Sequence, residues 1–306
     1  MNKIIVNEVG PRDGLQNQTV LVGVDEKYQL IQQLMAAGIN HIEVGSFVSP
    51  KAVPQMATTK DLVAQIGQPL PVGMSALIPN VKGLELAIES GVQEVAVVLS
   101  ATETMNQKNI NMSLQKTIDV CSEIVTTAKK SNLRAKAYIG VAFVCPFEGD
   151  VPLPWLLDLT KMMQQSGADE IVIADTIGAA SPSLVKTTMD LLVAHLGSEI
   201  LSGHFHDTRG MAIANCYASI EAGIRKFDSS IGGMGGCPFT PNASGNLATE
   251  DLVLLAQQCG YETNIDLSKL ITAIEYASKI TNKSLGGRSY PWLQRNYGAQ
   301  GKVGSC

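Results

Sequence analysis

The sequence predicts an α/β protein, a (β/α)8 TIM barrel with extra C-terminal helices, on three observations. Short apolar runs rich in β-branched residues alternate with helical-period stretches eight times. No composition break or low-complexity linker interrupts them. Polar residues gather just after the predicted strands, where the loops of such a barrel form one face. An open doubly wound sheet usually has fewer strand–helix units.

The first strand runs from Ile4 to Val9 and enters a charged turn, Gly10-Pro11-Arg12-Asp13-Gly14. Asp25 then caps a helix with Tyr28, Leu30, Ile31, Leu34 and Met35 at helical spacing, and Gly38 ends it. His41 to Val44 is the second strand, with Gly45 to Pro50 as its loop. Val72 to Leu77 is the third, followed by a helix from Val81 to Glu89 that stops at Gly91. Val95 to Leu99 is the fourth, followed by a helix from Ser113 to Lys130. Ala135 to Val144 is the fifth, with a helix from Pro154 to Gln165 and a stop at Gly167. Ile171 to Ala174 is the sixth, and Ser181-Pro182 opens its helix. Ile200 to Phe205 is the seventh, with a helix from Met211 to Ala222 and a stop at Gly223. Lys226 to Ser230 is the eighth, and a Gly-rich loop leads to a helix near Asn246. Residues 1–306 read as a single barrel domain, with 266–306 a C-terminal helical extension and irregular tail.

The 306 residues are 45% hydrophobic and 17% charged, enough for one large core. A net charge of -5 and the lack of a basic run argue against a nucleic-acid partner. No apolar run approaches the roughly 20 residues that span a bilayer, so no membrane partner is expected. Met1 to Asn7 is too short and too soon polar for a signal peptide. The six cysteines form no Cys-x-x-Cys pair and read as reduced thiols, so a cytoplasmic location is expected.

His204 and His206 are one residue apart on a strand, so their side chains point the same way. Asp13 and Asn246, at matching positions after the first and eighth strands, would add a carboxylate and an amide oxygen. Two nitrogens and two oxygens with no thiolate suit a divalent metal, Mg or Mn with Zn possible, and leave room for a chelating substrate. The plainer alternative is that His206-Asp207 pairs locally. Arg12 stays protonated and can stabilise a developing oxyanion such as an enolate, or it forms a salt bridge to Glu43 or Asp175. Cys237, between Gly236 and Pro238, sits in a loop that could close and deliver a proton, or it is an inert small residue. Glu43 and Asp175 end buried strands, where a carboxylate is costly unless paired or ligand-bound. Gln16-Asn17 could hold a substrate carboxylate or carbonyl. Gly232-Gly233-Met234-Gly235-Gly236 lacks the Lys-Ser/Thr of a nucleotide loop.

Several of these stretches together resemble 3-hydroxy-3-methylglutaryl-CoA lyases. They are Glu8-Val9-Gly10-Pro11-Arg12-Asp13-Gly14-Leu15-Gln16-Asn17, Ser46-Phe47-Val48-Ser49-Pro50-Lys51 and Ala174-Asp175-Thr176-Ile177-Gly178. They continue with His204-Phe205-His206-Asp207-Thr208, Gly235-Gly236-Cys237-Pro238 and Ser244-Gly245-Asn246 through Asp251. The resemblance implies a metal-dependent barrel lyase that cleaves a tertiary 3-hydroxyacyl-CoA to acetyl-CoA and acetoacetate. Asp13, His204, His206 and Asn246 would hold the metal, Arg12 the thioester enolate, and Cys237 would protonate it. Glu43 and Asp175 would orient Arg12, the hydroxyl or a water, with His204 or a water held by Asp175 as base. Arg209 and Gln18 depart from the family pattern. They leave acyl-chain preference open, including a bulkier branched 3-hydroxyglutaryl-CoA. Claisen-condensing synthases of the isopropylmalate or homocitrate type share the Arg-Asp opening and His-x-His, and are the rival enzyme class. An acyl-CoA sensor and a metal-dependent hydrolase are further readings. A homodimer is the expected assembly.

Overall fold

The computed structural model describes residues 2–236 and 245–297. Its eight barrel strands are Ile5–Glu8, His41–Ser46, Met74–Leu77, Glu94–Ser100, Arg134–Gly140, Glu170–Asp175, Leu201–Phe205 and Lys226–Ser229. Each pairs in parallel with its sequence neighbours, and the first closes on the eighth. A helix follows each strand because a parallel neighbour is reached only by a crossover. Apolar side chains such as Ile42, Val95, Ile139 and Ile171 are wholly or almost wholly buried between strands and helices. Burying each contributes roughly 1.5–3 kcal/mol before chain entropy is charged against it.

The predicted helices over 81–89, 113–130, 154–165 and 211–222 are present within a residue or two of their expected ends. Side-chain oxygens of Asn80, Ser113 and Ser181 accept the first backbone N–H groups of their helices. Asp25 is not a cap: Gly23 begins that helix, and Glu26 Oε2 accepts the Gly23 N–H at 2.8 Å. Two helices, Thr59–Ile66 and Glu103–Ile110, had no counterpart in the sequence pattern. The fifth strand ends at Gly140, because Val141 turns the chain with φ 46° and gives its N–H to Thr176 Oγ1. Residues Val144–Cys145 and Gly149–Asp150 then form a small hairpin. The C-terminal extension supplies helices Leu267–Thr281 and Tyr290–Tyr297, the first lying against helix Val24–Ala36.

At the N-terminal end of the strands the barrel is closed by ion pairs. Lys136 Nζ lies 2.8 Å from Glu94 Oε1, and Glu94 Oε2 also accepts from Arg134 Nε at 3.2 Å. Lys226 Nζ lies 3.6 Å from Glu170. Burial opposes the charge of Lys136, but Glu170 and Glu94 outweigh it and keep the ammonium protonated.

Candidate metal and active site

The opposite end of the barrel is built differently. After the first strand, residues Gly10–Gly14 coil into one π-helical turn, with the N–H groups of Arg12, Asp13 and Gly14 all directed at Val9 O. This brings Arg12 and Asp13 over the mouth side by side. Arg12 Nη1 lies 2.8 Å from Asp13 Oδ1, and Arg12 Nε lies 2.5 Å from Glu43 Oε2 at the second strand. Arg12 is 6% exposed and Glu43 is fully buried. Burial chiefly, with Asp228 and Asp13 adding to it, raises the pKa of Glu43 above its ordinary value, and Arg12 opposes that rise. Of the two salt-bridge partners open to Arg12 in the sequence, Glu43 is the one it takes. Asp175 instead spends its two oxygens on the N–H groups of Ala179 and Ala180, at 2.9 and 3.0 Å.

His204 and His206 share one side as strand geometry requires, with ring centroids 5.2 Å apart. Phe205 between them is buried in the core beside Phe143. Ligand atoms of Asp13, His204 and His206 lie within 4.8 Å of one another. Asn246, paired as an isolated bridge with His206, reaches the same point. Its Nδ2 donates to Asp13 Oδ2 at 2.7 Å, and its Oδ1 has no hydrogen-bond partner among the described residues. His206 Nδ1 is likewise buried and unpartnered. Such atoms are costly to leave bare. An amide oxygen, two imidazoles and a carboxylate around one point fit a hard or borderline divalent cation.

The electrostatics agree with that fit. Burial would raise the pKa of Asp13, but Arg12, both histidines and the Asn246 bond hold it below the usual carboxylate range. Burial and the neighbouring His204 push His206 down to about 4, so it is a neutral imidazole near pH 7. Asp207 does not pair with His206. It binds Arg288 Nε at 2.8 Å and accepts the Ala212 N–H, which tethers the histidine loop to the C-terminal extension.

Gln16 Nε2 donates to Asp13 Oδ1 at 3.0 Å, so it lies at the site. Cys237 and Ser244 lie outside the described residues. Asn17 Nδ2 reaches Gly236 O at 3.3 Å, at the near edge of that segment. The root of the same loop is held by Glu8, whose Oε1 accepts from Gly10 and Ile231 and whose Oε2 bonds Thr249. Burial raises Glu8 to about 7 against those hydrogen bonds. Arg209, one of the departures from the family pattern, donates to the carbonyls of Gly178 and Ala179 and so joins the sixth and seventh loops.

The sequence reading missed Asn7, Tyr138 and Asp228. Asp228 Oδ2 lies 3.0 Å from His204 Nδ1, and Asp228 Oδ1 accepts from Asn7 Nδ2 at 2.8 Å. Tyr138 stands edge-on to His204 with centroids 6.2 Å apart. Burial, and then Asp228, keep its phenol protonated. The available signal was a polar residue at an inward position of an otherwise apolar strand.

The HMGL-like family model matches residues 3–276. A hydroxymethylglutaryl-CoA lyase of Bacillus subtilis is 41% identical over 287 residues, 94% of this chain and 96% of that protein. A 3-hydroxy-3-isohexenylglutaryl-CoA/hydroxymethylglutaryl-CoA lyase of Pseudomonas aeruginosa is 41% identical with the same coverage. The crystal structure of hydroxymethylglutaryl-CoA lyase from Pseudomonas aeruginosa superposes with a TM-score of 0.92 at 40% identity, covering 97% of this chain and 100% of that one.

Proposed function

The chain belongs to the HMGL-like family, and we propose that it cleaves 3-hydroxy-3-methylglutaryl-CoA to acetyl-CoA and acetoacetate through the residues gathered at the barrel mouth. The observation that carries the assignment of roles is the convergence of Asp13, His204, His206 and Asn246 beside a buried arginine. A divalent cation held by those four, Mg or Mn before Zn, supplies Lewis acidity toward the tertiary hydroxyl of the substrate.

The chain's own residues do the rest. Arg12, fixed by Glu43 and Asp13, places a permanent positive charge where the thioester oxygen becomes an enolate. As the hydroxyl loses its proton the C2–C3 bond breaks. Its electron pair passes to the acetyl-CoA enolate and the former carbinol carbon becomes the ketone of acetoacetate. Cys237 then donates the proton that completes acetyl-CoA. His204 has one nitrogen committed to Asp228, so its other nitrogen serves as ligand or as proton acceptor, not both. With His204 as ligand, the base falls to Asp175 or a water it holds. Burial raises that carboxyl, and each oxygen keeps acceptor capacity beyond its one backbone N–H. Gln16 orients Asp13 or a substrate oxygen.

A second reading concerns chain length. The Pseudomonas aeruginosa relative is named for a longer branched substrate as well, and Arg209 sits between two mouth loops. A panel of 3-hydroxy-3-alkylglutaryl-CoA thioesters, each with added Mg or Mn, tests both readings. Release of acetyl-CoA from the methyl compound supports the first. Turnover confined to longer chains replaces it with the second, and turnover only of acetyl-CoA with a 2-oxo acid overturns both. A homodimer is the assembly expected in light scattering. Among the described residues no helix is long and apolar enough to cross a membrane.

A further inference from the structure

The strand register sets three polar side chains in a row. Asn7 of the first strand is level with Asp228 of the eighth, and Asp228 is level with His204 of the seventh. All three are buried, at 5%, 2% and 7% exposure. Residues level on adjacent parallel strands project to the same side, so the row lines the barrel interior. The hydrogen bonds run along it: Asn7 Nδ2 to Asp228 Oδ1, then His204 Nδ1 to Asp228 Oδ2. Asn7 Nδ2 can only donate, so it commits the first carboxylate oxygen to accepting. The second oxygen is left to His204.

We propose that Asp228, held by Asn7, is a positioning residue that fixes the tautomer and ring orientation of His204. Its carboxylate takes the Nδ1–H, which leaves Nε2 as the nitrogen free to join Asp13 and His206 around a cation. The inference rests on the reading of those residues as a metal centre. Tyr138 stands edge-on to the ring, with centroids 6.2 Å apart, and packs against it. An imidazole without such a partner carries its proton on either nitrogen, and one tautomer cannot bind a cation through Nε2. Groups that orient a ligating histidine are typically worth 10–100-fold in metal affinity. Replacing such a carboxylate by an amide preserves shape while favouring the wrong tautomer, as the serine-protease triad shows for another histidine. In Asp228→Asn, the amide oxygen meets the Asn7 donor and the NH2 turns to His204, so Nδ1 must accept.

The test has two parts. The chain has four histidines, so ring-nitrogen NMR of the 15N-labelled, metal-free protein is readable, with His204 assigned by its loss in His204→Gln. At alkaline pH, where the ring is neutral although, against burial, Asp228 and Asp13 favour its charged form, the expected result is an Nδ1–H tautomer for His204 in the parent protein and Nε2–H in Asp228→Asn. An Nε2–H tautomer in the parent overturns the proposal, and needs no folded variant to do so. The second part follows free Mn(II) by electron paramagnetic resonance. Asp228→Asn is expected to weaken binding by about 10–100-fold, and Asn7→Ser by less, with circular dichroism melts to show that both fold. Parent-like affinity in a folded Asp228→Asn overturns the proposal. Absence of Mn(II) binding by the parent, or full binding by His206→Ala, overturns the metal reading instead.

Discussion

The two ends of one barrel both bury charge, and they differ in what is left over. At the N-terminal end Lys136, Glu94, Arg134, Glu170 and Lys226 pair with one another. At the C-terminal end Arg12, Asp13 and Glu43 also pair, yet Asn246 Oδ1, His206 Nδ1 and Glu43 Oε1 have no hydrogen-bond partner among the described residues. Burial of charge is common to a stabilising cluster and a reactive one. Unpartnered buried atoms occur elsewhere, and Glu94 Oε1 at the first end faces Lys136 Nζ at 2.8 Å. What marks the second end is that Asn246 and His206, whose Oδ1 and Nδ1 face no donor among the described residues, converge with Asp13 and His204 on one point.

The comparison breaks if the lower cluster matters to turnover. Lys136→Met removes the buried cation and leaves Glu94 only the half-exposed Arg134 and Glu170 only Lys226 at 3.6 Å, which should cost up to about 3 kcal/mol of stability. Thermal melts should show the loss, while kcat at a temperature well below the melt should fall far less than in Arg12→Gln, since Lys136 reaches the site only through its charge on Asp228. A large fall in kcat there would erase the distinction between the two ends.

At the upper end a large loss of turnover is expected. Arg12→Gln should lower kcat by about 10²–10³-fold with little change in KM, because the charge acts on the enolate and not on the ground state. The melting temperature should fall as well, because Arg12 is the partner of the fully buried Glu43, so the loss of kcat is what separates this variant from Lys136→Met. A raised KM with parent kcat would make Arg12 a binding residue only.

Glu8 tests the border between the two kinds of cluster, since it is buried, fully bonded and close to the site loops. Its pKa is raised by burial from 4.5 to about 7, so the folded protein keeps a proton that the unfolded chain has lost. Its contribution to stability is therefore complete below pH 4.5 and fades as pH rises through about 7. Glu8→Gln imitates the protonated form. Relative to the parent, its melting temperature should rise between pH 5 and pH 8, and a flat difference would show an unshifted carboxylate.

The smallest effect belongs to Arg288→Gln. The Arg288–Asp207 pair joins the C-terminal extension to the histidine loop, but Arg288 is 65% exposed at the side chain. An exposed pair is worth about 0–1 kcal/mol, so the melt should shift by a few degrees at most.

Much of this was legible in the sequence because barrel strands and helices announce themselves locally. The β-branched runs and the glycine stops at Gly38, Gly91, Gly167 and Gly223 each reflect one element's own backbone needs, and those glycines do take positive φ. Arg12, Asp13, His204, His206 and Asn246 were legible for a related reason: fold class converts a position after a strand into a position at the mouth. What escaped was non-local. Asp228 gains its meaning only from register with Asn7 and His204, which no spacing within one strand reveals. Asp175 looked free to meet Arg12, but the chain folds back so that Ala179 and Ala180 take its oxygens. Asp25 looked like a cap, yet Gly23 with Glu26 does that work two residues earlier. The role given to Cys237 falls outside the described residues and stands on its loop sequence.

The most direct test is chelation. The protein, stripped with a strong chelator and dialysed, is offered 3-hydroxy-3-methylglutaryl-CoA before and after Mg or Mn is restored, and acetyl-CoA is measured. The expected result is negligible release from the stripped protein and full release on restoration, with His206→Ala silent in both conditions. Undiminished cleavage by the stripped protein, or by His206→Ala, would contradict the account.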